Sequence, residues 1–149
     1  MKYNRKDILN LIKRSFKTNQ PKKCCKQKIN LSRTDLSGIN FNNQNLYSAN
    51  LSGIDLTEAN LVETNFIWAD LNGAILTGAK CDRSHFHFAS LLWADLTGAS
   101  LREADFSCAK ASQANLTGVS GDRIKLMGAI LDGAILADGN FQADRKSVV

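Results

Sequence analysis

The side chains able to do chemistry are few and badly placed for it. Four cysteines occur, Cys24, Cys25, Cys81 and Cys108, with no CxxC spacing, and neighbours such as Cys24 and Cys25 rarely share a disulfide. Free thiols are the expectation. His85 and His87 flank Phe86, His85 in a slot usually filled by Asn or Asp and His87 in an outward slot, so the two are expected to point differently. They are poorly placed to share a metal with Cys81 or Cys108. Glu58, Glu63, Glu103, Asp122, Asp132 and Asp138 fall among small polar residues and read as solvated turn positions, not as an acid–base pair. No glycine-rich phosphate loop is present. The expectation is a chain that is not an enzyme, with no catalytic residue, no cofactor, no metal and no small-molecule substrate.

The elements that carry these residues follow one period. From Leu31 to Phe141 a large apolar residue returns at every fifth position, and only Cys81, Ala111 and Gly121 in that series are neither Leu nor Phe. A smaller apolar residue precedes most centres by two positions, as at Ala49, Ala59, Ala69, Ala74 and Ala79, and Asn or Asp commonly precedes them by one, as at Asn40, Asn45, Asn50 and Asp55. A helix returns its apolar residues at three and four, and a half-buried strand at two. A period of five with two inward positions requires a chain that turns a corner in every repeat. The two polar positions after each centre make that corner. Glycine takes the second of them at 38, 53, 73, 78, 98, 118, 128 and 133, where positive φ costs it nothing. The Asn and Asp side chains are expected to point inward and bond the turn backbone.

The strings SANLSG (48–53), EANLVE (58–63), WADLNG (68–73), WADLTG (93–98), EADFSC (103–108) and QANLTG (113–118) resemble the A(D/N)LXX motif of the pentapeptide repeat family. The resemblance covers residues 29–143. It implies an all-β solenoid, a right-handed quadrilateral β-helix with four repeats per coil, here about 23 repeats in five to six coils. Residues twenty apart would then stack. One column would read Leu46, Phe66, Phe86, Phe106, Leu126, and another Leu36, Leu56, Leu76, Leu96, Leu116, Leu136. Ala111 and Gly121 leave one coil short of two large inward side chains. Val119 and Ile124 restore that volume, or the backbone bulges there.

Three segments follow: a basic head at 1–28, the repeats at 29–143 and a tail at 144–149. The head carries ten Lys and Arg against Asp7 alone, whereas residues 29–149 carry nine against thirteen Asp and Glu. Net charges of +9 and −4 lie behind the overall +5, so the whole-chain value describes neither part. Residues 4–17 read as an amphipathic helix with Asn4 as N-cap, and Ile8, Leu9, Ile12 and Phe16 form its apolar stripe. Two readings stand. The helix is a lid for the first coil, or a basic element that attaches to membrane or nucleic acid. With charges scattered through the first twenty residues no secretory leader is expected, and no run nears the ~20 apolar residues of a membrane span. A cytoplasmic location is the expectation.

Two surfaces could meet a protein partner. Tyr47, Val62, Ile67, Trp68, His87, Phe88, Leu92 and Trp93 occupy outward positions that are elsewhere polar. They would form one apolar patch, either covered by the N-terminal helix and its linker or used as a protein contact. At the far end, Leu126, Leu131, Leu136 and Phe141 belong to a last coil with too little chain after it for a helical lid, which suggests closure by a second copy or another partner. A non-enzymatic protein-binding scaffold is the leading reading. The family also contains DNA mimics that protect type II topoisomerases, but that use asks for a strongly acidic rod.

Overall fold

The computed structural model describes residues 5–16 and 28–143, and the side chains of 6–12 and 28–140. Expectations for residues 1–4, 17–27 and 144–149, including the Asn4 cap and the thiols of Cys24 and Cys25, lie outside the described residues, as does the side chain of Phe141.

Each repeat is a short extended step and a tight turn. In the repeat centred on Leu36, the Ile39 N–H donates to the Leu36 carbonyl at 3.0 Å, and the corner residue Gly38 has φ 63°. Positive φ at the second corner residue alone is the signature of a type II turn. The corner is left-handed at every repeat from Arg33 to Asp138, whichever residue fills it; Glu58 (55°), Trp68 (60°) and Arg83 (56°) adopt it alongside the glycines. Glycine is therefore the cheap occupant of a conformation that the fold imposes.

Coils stack in parallel with a register of twenty. Bridges join Asn30 to Asn50, Asn50 to Asp70, Asp70 to Ser90 and Ser90 to Lys110, and the same spacing holds on the other three faces. Each bridge exchanges backbone bonds: Leu36 N–H donates to Asp55 O at 2.8 Å and Asp55 N–H to Thr34 O at 2.9 Å. Corners join in too, with Gly38 N–H on Thr57 O at 2.7 Å. The ladder on each face sets a rise of ~4.8 Å per coil. Both apolar classes point inward into one continuous core. Phe66, Phe86 and Phe106 form its aromatic column, with centroids 4.9 and 4.6 Å apart and planes within 7° and 17°.

The Asn and Asp positions do not point inward. Asp35 is exposed and Asn65 half-exposed, because each carboxamide or carboxylate leans along the outer face. Its Oδ1 accepts the N–H two residues on, as Asn65 does from Ile67 at 2.9 Å and Asp55 from Thr57 at 2.9 Å. The bond to the turn is made, but from outside, because the interior has room only for the two apolar classes. Polar groups inside come from another position. Thr64 and Ser84 replace the small apolar residue, and their buried hydroxyls donate to the carbonyls of Phe41 (2.7 Å) and Cys81 (2.5 Å).

The coil containing Ala111 and Gly121 is the irregular one. Val119 and Ile124 are fully buried there, and the backbone bulges as well. Strand β1 (Ser120–Ile124) pairs with β2 (Asn140–Ala143) in parallel, and the register slips between Gly121 and Ile124. Gly121 (φ 152°) lies so close to the coil before it that a Cβ would sit 2.7 Å from Arg102 N and 2.8 Å from Leu101 C. Under Ala111 a void of about 10 Å³ remains, walled by Leu96, Leu101, Phe106, Leu116, Leu126 and Leu131. It is apolar and barely admits a water, so it stays dry.

The helix α1 (Arg5–Phe16) buries Ile8 and Ile12 to 1% exposure in the same cluster as Leu31 and Leu36, while Leu11 stays 41% exposed. Leu9 packs against the cluster more loosely.

Candidate protein-contact site

The register of twenty gives every outward residue a column, so the surface can be read as stripes. One corner runs Ser48, Trp68, Phe88, Cys108, Gly128. Trp68 and Phe88 stack along it with centroids 4.4 Å apart and planes 12° off parallel, and His87 meets the Phe88 edge at 4.2 Å. The stripe beside it runs Tyr47, Ile67, His87, Ser107, Met127. Trp93 stands at the next corner round, above Gly73. Trp68, Phe88 and Trp93 are 53, 39 and 68% exposed and Tyr47 50%, whereas Val62, Ile67, His87 and Leu92 are half-buried. The structure thus brings Trp68, Phe88 and His87 into contact. It places Trp93 apart from that stack, with no ring partner among the described residues. Helix α1 leaves the aromatics uncovered.

These aromatics hold an unfavourable backbone. Trp68, Phe88 and Trp93 have φ of 60°, 58° and 56°, where a side chain costs ~1–2 kcal/mol that glycine avoids. The stacking of Trp68 on Phe88 returns ~0.5–1.5 kcal/mol; Trp93 has no such return. Other corner residues such as Glu58 and Arg83 bear the same strain, so it is the exposed aromatic surface that sets these positions apart.

The remaining chemistry-bearing residues are absorbed by the fold. Burial pushes the Cys81 thiol far above its ordinary range, and the adjacent Asp82 adds to this, so the thiol stays protonated and inert. Cys108 is a half-exposed corner residue without a disulfide. Burial would raise the Asp105 carboxyl, but the Ser107 hydroxyl and N–H, with Lys125 and His87 nearby, hold it below the usual range. Among the described residues no three His, Cys, Asp or Glu converge as a metal site. No described helix is long and apolar enough to cross a membrane.

Two arrangements were not foreseen. Ser90 and Ser100 replace Asn or Asp, which leaves the Leu92 and Arg102 N–H groups without their usual acceptor. Asn72 and Asp82, one coil earlier, supply it, accepting those N–H groups at 3.0 Å each and the serine hydroxyls at 2.7 and 2.5 Å. A third corner alternates in charge, Glu63, Arg83, Glu103, Arg123. Arg83 pairs with Glu63 at 2.9 Å, and Arg123 with Glu103 and with Asp122. Reading the sequence in steps of twenty would have found this ladder. Met127, 58% exposed, also extends the Tyr47 stripe.

At the far end Leu126 and Leu131 are half-buried, while Leu136 is 49% and Ile135 52% exposed.

A stacked coil with four corners, an apolar interior and, among the described residues, no convergent reactive groups defines a β-solenoid repeat protein. The chain belongs to the pentapeptide repeat family. The family model for pentapeptide repeats matches eight copies across residues 27–62, 64–102, 93–120 and 104–142. Its members form right-handed quadrilateral β-helices and are in general non-enzymatic scaffolds that commonly act in protein interactions. Among solved structures, a pentapeptide repeat protein of the Arabidopsis thaliana thylakoid lumen is 33% identical with a TM-score of 0.61. That match covers 62% of this chain and 65% of the Arabidopsis protein. HetL of Nostoc sp. strain PCC 7120, involved in heterocyst differentiation regulation, is 28% identical over 76% of this chain and 70% of its own, with a TM-score of 0.48. QnrB1, a plasmid-mediated fluoroquinolone resistance protein, is 12% identical over 70% of this chain and 69% of its own, with a TM-score of 0.47. No curated protein matches the sequence.

Proposed function

We propose that this chain is a non-catalytic scaffold, a rod of about 23 repeats in five to six coils that presents its aromatic corner to a protein partner. One observation carries the reading: Trp68 and Trp93 are exposed by 53 and 68% while holding a left-handed corner that glycine would hold more cheaply. Trp is among the residues that most often anchor interfaces. Helix α1 serves as the lid of the first coil, since its Ile8 and Ile12 are spent on the core. The test is capture of a partner from native lysate by the wild type and by Trp68→Ala/Trp93→Ala. Capture is expected to be lost while the variant still unfolds cooperatively, at a lower melting temperature because alanine keeps the left-handed strain and gives up the buried part of each indole. Undiminished capture, or loss of the cooperative fold, would sink the reading.

A second contact is supported by the last described coil. Leu126 and Leu131 are only half-buried there and Leu136 is 49% exposed. A second copy closing this face would bury them, and light scattering that finds a strict monomer at tens of micromolar would exclude it.

A further inference from the structure

The tripeptide Trp-Ala-Asp occurs twice, at 68–70 and at 93–95. Each time the indole takes an exposed corner and the carboxylate opens the following face. In both carboxylates Oδ1 caps the backbone: Asp70 accepts from Asn72 N–H at 3.1 Å, and Asp95 from Thr97 N–H at 2.9 Å and its hydroxyl at 2.5 Å. Neither carboxylate has an ion-pair partner among the described residues. Glu63, Glu103, Asp105 and Asp122 all do, and they occupy Arg83, Arg123 and Lys125. The basic side chain in the Asp70 column is Lys110, two coils on and beyond Ser90, ~10 Å along the rod. The surface therefore carries two exposed indoles, each beside an unmatched negative charge, on a repeat region whose net charge is −4.

An indole face attracts a cation, and most strongly a guanidinium, which stacks flat and still donates in its own plane. A carboxylate beside the ring then accepts those in-plane N–H groups. A single-stranded nucleic acid would also stack on tryptophan, but it needs a basic groove for its phosphates, and here the charges beside the rings are acidic. We propose that the two Trp-Ala-Asp corners dock an arginine-bearing basic peptide segment of a partner protein. This rests on the protein-contact reading above and names the chemistry of the partner.

The chain has only two tryptophans, so its selectively excited tryptophan fluorescence reports on these two corners alone. Full-length protein titrated with hexa-arginine amide at about 50 mM salt is expected to give a saturable fluorescence change. Hexa-lysine is expected to bind more weakly and hexa-glutamate not at all, and about 500 mM salt to weaken binding severalfold. Asp70→Asn/Asp95→Asn removes both charges and keeps both backbone caps, since Asn accepts the same N–H at Asn65 and Asn115. That variant is expected to fold normally and to bind hexa-arginine about tenfold more weakly. Asp132→Asn, on the last coil, is expected to bind like the wild type. Absence of a saturable change at low salt overturns the proposal, as does undiminished affinity in the double variant or equal weakening by Asp132→Asn. Salt-sensitive self-association abolished by the same double variant also overturns it, in favour of the chain's own basic head as occupant. Tryptophan-dependent capture of a lysate protein, with no hexa-arginine binding, overturns this inference and leaves the contact reading standing.

Discussion

Replacing Trp93 with glycine separates an aromatic kept for contact from one kept for folding. The residue has φ 56° and 68% exposure. Glycine relieves ~1–2 kcal/mol of left-handed strain. Against this stands the buried third of the indole. A fully buried Trp hides ~150–250 Å², so about 50–80 Å² is at stake here. At ~25 cal/mol/Å² that is ~1.3–2 kcal/mol, an upper bound for an extended reference chain. Glycine also gives the unfolded chain ~0.5–1 kcal/mol of extra freedom. The terms nearly cancel, and Trp93→Gly is expected to destabilise by about 1 kcal/mol, a shift of ~2–4 °C in a domain of this size. Phe86→Ala is the comparator. Phe86 is fully buried between Phe66 and Phe106, and its loss costs ~3–5 kcal/mol for transfer and cavity. Two stacking contacts of ~0.5–1.5 kcal/mol each go with it. Denaturant unfolding followed by far-ultraviolet circular dichroism measures both. A loss at Trp93→Gly approaching that of Phe86→Ala would refute the reasoning, since the indole would then be part of the packing.

Gly121→Ala forces a methyl against the backbone of Leu101 and Arg102 and is expected to cost ~1–3 kcal/mol, read as a lower melting temperature. Asp105 titrates lower in the folded chain than in the unfolded one, so its contribution is present above the ordinary Asp range near ~4 and is lost as pH falls through the folded value. Asp105→Asn keeps an acceptor for the Ser107 N–H, and its unfolding midpoint is expected to depend less steeply on pH in that acid range than the wild type's. With Cys24→Ser and Cys25→Ser in place, an aromatic disulfide reagent is expected to titrate one thiol in the native chain, Cys108, and the second, Cys81, only after unfolding. Two fast thiols would show that the core admits solvent at that level.

Much of this architecture could be read along the chain because each repeat satisfies itself locally. The centre, the small residue two before it and the corner glycine all lie within five residues, and the burial of Leu46, Ala49 and Leu51 follows their order. Misread features came from two sources. The side of the wall on which Asn and Asp lie depends on interior width, which no single repeat states. The caps that Asn72 and Asp82 lend to the next coil span 18 to 20 residues, so no local pattern announces them. The aromatic corner was visible as wrong residue types at outward positions. Its backbone strain was not, because glycine at eight corners reads as a local preference until Glu58, Trp68 and Arg83 are seen in the same conformation.

The register of twenty constrains how such a chain can change its length. Inserting or deleting one five-residue unit between Trp68 and Trp93 would turn everything downstream by a quarter of a revolution. Trp93 would move to another wall, and the phenylalanine column would break between Phe66 and Phe106. Four units at once would return every side to its own wall and merely lengthen the rod. Variation in length is therefore tolerable in whole coils, and each wall keeps a separate inheritance of side chains, read one residue in twenty.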